Sequence, residues 1–200
     1  MRVVLVDLSS VVHPIFHMSS ADQERDPDHV SNATVAKVRS LIEGFDRVGV
    51  CCDSGRSFRH AMNPEYKANR GEPNEVLKHQ ARRAQELLAA DGLAVFSVKD
   101  YEADDLIATA VAQLSAHPDV TEIMIASSDK DLMQLITDSG RVPVKARSIM
   151  TGSVYDTAMV RQKFGVGPEQ MCDYLAMVGD VSDNVKGIKG VGAVGAAKLL

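Results

Sequence analysis

Four short apolar runs, separated by stretches of helical periodicity, constrain this chain more than any other feature. Residues 3–6 (Val-Val-Leu-Val) are uninterrupted and three of the four are β-branched, as in a parallel strand buried on both faces. Residues 48–52 (Val-Gly-Val-Cys-Cys) and 123–126 (Ile-Met-Ile-Ala) repeat the pattern, and 93–96 (Leu-Ala-Val-Phe) are a shorter fourth candidate. Elsewhere apolar residues recur at three- and four-residue steps: Val35, Val38, Leu41, Ile42 and Phe45, then Leu106, Ile107, Ala110, Val111 and Leu114. Strands alternating with helices predict an α/β fold, a mainly parallel sheet flanked by helices. Residues 73–90 are predicted helical, 19–28 a loop, and 141–155 a short strand or hairpin. From Thr157 onward the pattern predicts helices only, broken at Gly165, Gly167 and the glycines of 187–195.

A chain of 200 residues suits one domain, or one domain with a small helical appendage. No apolar run approaches the roughly 20 residues of a membrane span. Asp7 interrupts the first run too early for a secretory signal. A cytoplasmic protein with no membrane partner, monomeric, is expected. Cys51, Cys52 and Cys172 are odd in number, and the vicinal pair lies in an apolar run, so all three are read as reduced core residues. The absence of a CxxC motif argues against a thiolate zinc site.

The acids fall where chemistry would need them. Asp7 directly follows the first apolar run, Asp53 the second, and Asp129 the third after two serines. Ligands of open α/β sheets bind at the carboxyl ends of the strands, so these three should converge. A single aspartate there is adequately explained as a turn residue or helix cap. Here each is joined by more acids: Glu102, Asp104 and Asp105 before the helix near Leu106, Asp131 beside Asp129, and Asp180 and Asp183 at a later turn. Glu102 and Asp105 would share one face of a first helical turn. Capping accounts for one acid per site. It does not account for adjacent like charges, which raise one another's pKa values. Oxygen-only ligand sets suit Mg²⁺ or Mn²⁺. Two such ions about 4 Å apart clamp a phosphodiester during hydrolysis. The net charge of −5 argues against a nucleic-acid partner only until these nine acids are set aside, which leaves a surplus of four positive charges.

Between residues 56 and 83 lie Arg56, Arg59, Lys67, Arg70, Lys78, Arg82 and Arg83, against only Glu65, Glu72 and Glu75. If residues 66–70 are helical, Lys67 and Arg70 face one phosphate, and Tyr66 is available to stack on a base. A solvated helix face is the plainer alternative. The GxGxxG at 190–195 is not a dinucleotide loop: no strand precedes it, and the expected acid would fall beyond Leu200. It is read as the turn of a helical hairpin whose exposed backbone N–H groups, around Lys189, Gly190 and Gly192, hold a duplex phosphate. A purely structural turn is the alternative.

Taken in order, these motifs resemble the 5′→3′ exonuclease and flap endonuclease family, found as phage nucleases and as the N-terminal domain of bacterial DNA polymerase I. The resemblance is carried by the strand ending at Asp7, Cys52-Asp53, Ser57-Phe58-Arg59-His60, Tyr66-Lys67-Ala68-Asn69-Arg70 and Tyr101-Glu102-Ala103-Asp104-Asp105. It continues through Ser128-Asp129-Lys130-Asp131-Leu132, Gly179-Asp180-Val181-Ser182-Asp183-Asn184 and Gly187-Ile188-Lys189-Gly190-Val191-Gly192. It implies a PIN-like nuclease domain over 1–155, with a helical arch about 54–90, and a helix–three-turn–helix DNA-binding motif over 156–200. It also implies Asp7, Asp53, Glu102, Asp104 and Asp105 around one Mg²⁺ or Mn²⁺, and Asp129, Asp131, Asp180 and Asp183 around a second. Lys67 and Arg70 would contact the scissile phosphate, with Arg59 a further phosphate contact. The implied substrate is DNA with a free or flapped 5′ end, cut to a 5′-phosphate and a 3′-hydroxyl. Family members continue with more helices beyond the point matched by Leu200, so a fragment or a minimal duplex-binding part is expected. His13 stands where many bacterial members have tyrosine. The competing reading, a PIN-type ribonuclease acting on RNA, is disfavoured by the glycine-rich hairpin and the arch cations.

Overall fold

A computed structural model describes residues 1–19, 26–71 and 74–200. Most of the loop expected over 19–28, namely 20–25, lies outside the described residues, as does Pro73 of the expected helix. The main strands are β1 (Arg2–Asp7), β2 (Arg47–Cys52), β3 (Ala94–Ser97), β4 (Glu122–Ala126), β5 (Val144–Arg147) and β6 (Val154–Tyr155). They form one sheet in the order β3-β2-β1-β4-β5-β6. All pairings are parallel except β5 with β6, the hairpin expected near 141–155. The helices are α1 (Leu8–Met18), α2 (His29–Ile42), α3 (Phe58–Met62), α4 (Glu75–Ala90), α5 (Ala103–Ala116), α6 (Thr157–Phe164), α7 (Met171–Val178) and α8 (Ala193–Leu199).

The continuous apolar runs are explained by the two covered faces of the sheet. Because side chains alternate along a strand, Val4, Val6, Val50, Cys52, Met124 and Ala126 face one side. There they pack on Leu8, Val11 and Val12 of α1, Val35, Val38 and Leu41 of α2, and Leu88 of α4. Val3, Leu5, Cys51, Ile123, Ile125, Val144 and Ala146 face the other side, with Ile107 and Val111 of α5. Val160, Met171, Tyr174 and Ala196 join that second cluster, so the C-terminal helices share the sheet's own core. Each fully buried Val, Leu or Ile contributes roughly 1.5–3 kcal/mol, so these clusters fix the strand ends that carry the acids.

Four expectations are corrected. First, Phe45 is not helical: α2 stops at Ile42, Glu43 is extended and Gly44 turns at φ +81. Phe45 still packs on the core, beneath the Arg2 guanidinium at 4.8 Å. Second, residues after Thr157 are not helices only. A two-stranded antiparallel ribbon, β7 (Gly179–Asp180) with β8 (Val185–Lys186), interrupts them. Two glycines make it possible: a Cβ on Gly179 would lie 2.4 Å from the Gly187 nitrogen, and one on Gly187 would lie 2.4 Å from the Val178 carbonyl carbon. Third, residues 66–70 are turns rather than a helix, and Lys67 sits in the left-handed region at φ +56. Fourth, Cys172 is exposed, because its neighbour Met171 takes the inward position on α7. Cys51 and Cys52 are buried free thiols, as expected, and burial pushes both up to about 12. No helix among the described residues is long and apolar enough to cross a membrane.

Candidate metal centre

The chain runs outward from β1 to β2 and β3, then returns to place β4 on the other side of β1. The carboxyl ends beside such a reversal form the usual ligand crevice of an open α/β sheet. Asp7 is the last residue of β1, Asp53 follows β2, and Asp129 follows β4 after Ser127 and Ser128. The expected convergence is present.

Asp7 is buried and does cap α1, as the plain reading of such an aspartate requires. Its carboxylate accepts from the Ser10 backbone N–H at 3.2 Å, the Ser10 hydroxyl at 2.5 Å and the Ser127 hydroxyl at 2.7 Å. Burial pushes this carboxyl up, against the pull of those donors. Asp53 accepts from the Ser9 hydroxyl at 2.5 Å and from the Ala103 N–H at 2.8 Å, which ties β2 to the start of α5. The Asp129 N–H donates to Ser127 Oγ at 3.0 Å, and Asp129 Oδ1 accepts from the Asp131 N–H at 2.9 Å. Sequence reasoning missed this hydroxyl shell, although its signal was present: a Ser-Ser doublet follows both β1 and β4.

Glu102 and Asp105 share one face as expected, closing a capping box on α5. Both are already held by cations. Arg59 grips Asp105 bidentately at 2.8 and 2.7 Å. Glu102 accepts from Lys67 Nζ at 3.0 Å, the Tyr66 hydroxyl at 2.9 Å and the Ser57 hydroxyl at 3.1 Å. Burial raises each carboxyl, but these donors outweigh it and hold both below the usual range.

The inner carboxylates behave differently. Burial, then the charges of Asp129, Asp7, Asp53 and Asp131, push Asp104 up to about 8. Burial, then Asp129, Asp180 and Asp183, push Asp131 up to about 6. Oxygens of Asp131, Asp180 and Asp183 lie within 4.8 Å of one another. Burial also works against Asp180, yet the Ser182 hydroxyl and Lys130, 3.1 Å away, bring it down to about 2. An all-oxygen donor set whose members raise one another's pKa values fits a hard divalent cation. Asp131, Asp180 and Asp183 form one grouping able to hold it. Asp104 is coupled by charge to Asp129, Asp7 and Asp53, but among the described residues no second grouping draws its oxygens as close.

Four of these acids, Asp104, Asp129, Asp180 and Asp183, open onto a cleft of about 280 Å³ that is lined also by Lys67, Arg70, Ser128, Lys130 and Ser182. Lys67 and Arg70 therefore reach the cluster, but from a turn rather than from one helical face. Arg70 Nη2 contacts Asp183 at 2.7 Å and Lys67 Nζ lies 4.0 Å from the same residue. Tyr66 is not presented to a base. It is buried, its ring edge-on to His60 at 5.1 Å and its hydroxyl donating to Glu102 and Asp183. Lys130 is a further cation in the cleft that sequence reasoning did not single out. Lys189, Gly190 and Gly192 lie apart from the cleft lining, in an exposed turn between β8 and α8 with Gly190 at φ +84.

Residues 2–165 match the family model of the 5′-3′ exonuclease N-terminal resolvase-like domain, and 166–200 that of the 5′-3′ exonuclease C-terminal SAM fold. The chain belongs to the 5′-3′ exonuclease family. DNA polymerase I of Bacillus subtilis (strain 168) is 39% identical over 152 residues, covering 76% of this chain and 17% of the polymerase. The first curated relatives are long proteins, of which this family member spans only 17–23%. The bacteriophage T5 5′-exonuclease with bound zinc superposes at a TM-score of 0.81 and 25% identity, over 100% of this chain and 74% of that one. A T5 flap endonuclease in complex with DNA and metal ions gives 0.80 and 25%, with the same coverage. The PIN-like parallel sheet and the helical C-terminal part of this 5′-3′ exonuclease family member are the family's fold, as its motifs implied.

Proposed function

We propose that this chain is a metal-dependent 5′ nuclease that hydrolyses phosphodiester bonds of DNA at free or flapped 5′ ends, leaving a 5′-phosphate and a 3′-hydroxyl. One observation carries the reading: Asp104, Asp129, Asp180 and Asp183 line a cleft that also receives Lys67 and Arg70, and Asp131 lies close to Asp180 and Asp183 at its edge. Two Mg²⁺ or Mn²⁺ ions held there would supply a hydroxide nucleophile and stabilise charge on the leaving oxygen. The protein's own contribution is position and charge. The serine hydroxyls orient Asp7 and Asp53, Lys67 and Arg70 offer positive charge to the phosphate, and Arg59 holds Asp105 at the base of α5. Arg59 acts on the phosphate in this reading only when it leaves Asp105.

The relatives support the assignment: the T5 5′-exonuclease binds zinc, and the T5 flap endonuclease is in complex with DNA and metal ions. Residues 1–155 are read as the nuclease unit, in keeping with the end of the main sheet at Tyr155. Residues 156–200 are read as the duplex-binding unit, with the turn of Lys189, Gly190 and Gly192 against the DNA backbone. A cytoplasmic setting is part of the same reading, by likeness to DNA-processing relatives, and we propose a monomer.

A 5′-labelled flap DNA incubated with the protein in Mg²⁺, Mn²⁺ or chelator tests this. Cleavage should appear with either metal and vanish in chelator. Undiminished cleavage in chelator contradicts the mechanism, and preferential cutting of single-stranded RNA favours the ribonuclease instead.

A further inference from the structure

Two asparagines outside the cleft lining connect its two halves. Asn69 Nδ2 donates to the Val181 carbonyl at 2.6 Å, reaching from the turn that carries Lys67 and Arg70 to the loop that carries Asp180 and Asp183. Asn184 Nδ2 donates in the opposite direction, from that loop to the Glu65 carbonyl at 2.8 Å. Between them the Lys67 N–H donates to the Asp183 carbonyl at 2.9 Å, and Arg70 Nε to the Ser182 carbonyl at 3.1 Å. Segments 65–70 and 181–184 are thus laced together by hydrogen bonds to main-chain carbonyls, although the paired residues lie 112 to 119 positions apart in sequence. At this seam two residues other than glycine take left-handed backbone, Lys67 at φ +56 and Asn184 at φ +58. Such conformations persist only where neighbouring structure over-determines them. Asparagine tolerates this region better than most residues, whereas lysine has no such excuse and is held by the seam.

We propose that Asn69 and Asn184 are positioning residues for phosphodiester hydrolysis, clasping the turn that bears Lys67 and Arg70 to the loop that bears Asp180 and Asp183. The proposal rests on the nuclease reading above. Its physical content is that the distance between the phosphate-facing cations and the metal-holding carboxylates is fixed by main-chain carbonyls, through the two amides. The Lys67 and Arg70 side chains are long and rotatable, so without the clasp their charge spreads over a larger volume. A displacement of about 1 Å in a catalytic array can cost on the order of 100-fold in rate.

The test uses the full chain and the variants Asn69→Ala, Asn184→Gly and the double variant. Asn69 is exposed, and glycine keeps the positive φ at 184, so folding is preserved. Single-turnover cleavage of a 5′-flap DNA in Mg²⁺ is expected to fall about tenfold in each single variant and up to roughly 100-fold in the double. Flap-DNA affinity measured in Ca²⁺ should stay within about twofold, because neither amide is a substrate contact. Trypsin should cut the native variants after Lys67 or Arg70 faster than wild type, since the clasped turn is released. Wild-type cleavage rates in the variants, or unchanged trypsin sensitivity, overturn the clasp while leaving the nuclease reading intact. So does a loss confined to DNA affinity, which would make the amides binding groups. A wild-type chain inert on flap DNA in Mg²⁺ removes the nuclease reading, and the positioning role with it.

Discussion

Asp131→Asn is expected to lower Mg²⁺-supported cleavage by about three orders of magnitude, with the fold intact. The Asp131 carboxylate belongs to the group whose oxygens lie within 4.8 Å of those of Asp180 and Asp183. Asparagine keeps the shape and one oxygen but removes a charge from a group proposed to hold a cation. A bound divalent ion contributes several kcal/mol of transition-state stabilisation, and each 1.36 kcal/mol is about tenfold in rate. The variant should fold at least as well as the wild type without metal, because burial and three neighbouring aspartates already push this carboxyl up to about 6. Single-turnover rates on a 5′-flap DNA, read beside melting curves, decide the matter. A rate within tenfold of wild type would remove Asp131 from the chemistry.

Lys67→Ala is expected to slow the chemical step by about 100- to 1,000-fold, the usual cost of deleting one charged donor aimed at a developing anion. Lys67 rests 3.0 Å from Glu102 and lines the same cleft as Asp104, Asp129 and Asp180. Its removal does not orphan Glu102, which still accepts from Tyr66 and Ser57. The loss should therefore appear in the single-turnover rate, with little change in DNA affinity. Cleavage at the wild-type rate under saturating enzyme would show that Lys67 serves only to neutralise Glu102.

How far the sequence reaches can be judged at particular residues. Val3 to Val6 and their counterparts read clearly as strands because both faces of the sheet are covered, which makes the apolar runs continuous. Asp7, Asp53 and Asp129 were legible for the same reason: a strand's end is where its apolar run stops. The ribbon of β7 and β8 was not legible, since two-residue strands carry no periodicity and depend on the backbone contact of Gly179 with Gly187. The spacing of Lys67 and Arg70 suggested a helix, whereas the Lys67 N–H is bonded to the Asp183 carbonyl, more than 110 residues away. Tyr66 reads equally well as a stacking platform or as a buried donor; only the nearness of Glu102 and Asp183 selects the second. Nor does one-dimensional spacing divide the nine acids. Arg59 and Lys67 neutralise Asp105 and Glu102, and Asp104 and Asp131 are left to repel their neighbours.

That repulsion can be measured directly. Burial and four aspartates raise Asp104 from 3.8 to about 8 in the folded chain. Folding therefore favours its protonated form, and metal-free stability from this group is lost as pH rises across that window. A divalent cation needs the ionised form, so its binding strengthens over the same range. The decisive measurement is the melting temperature with Mg²⁺ and with chelator, at pH 5 and pH 8. Saturating Mg²⁺ at about 100 times its dissociation constant adds about 2.7 kcal/mol, or roughly 5–11 °C for a chain of this size. A shift of that order is expected at pH 8 and a smaller one at pH 5. Identical melting curves with Mg²⁺ and chelator at both pH values would contradict a metal-holding acid cluster.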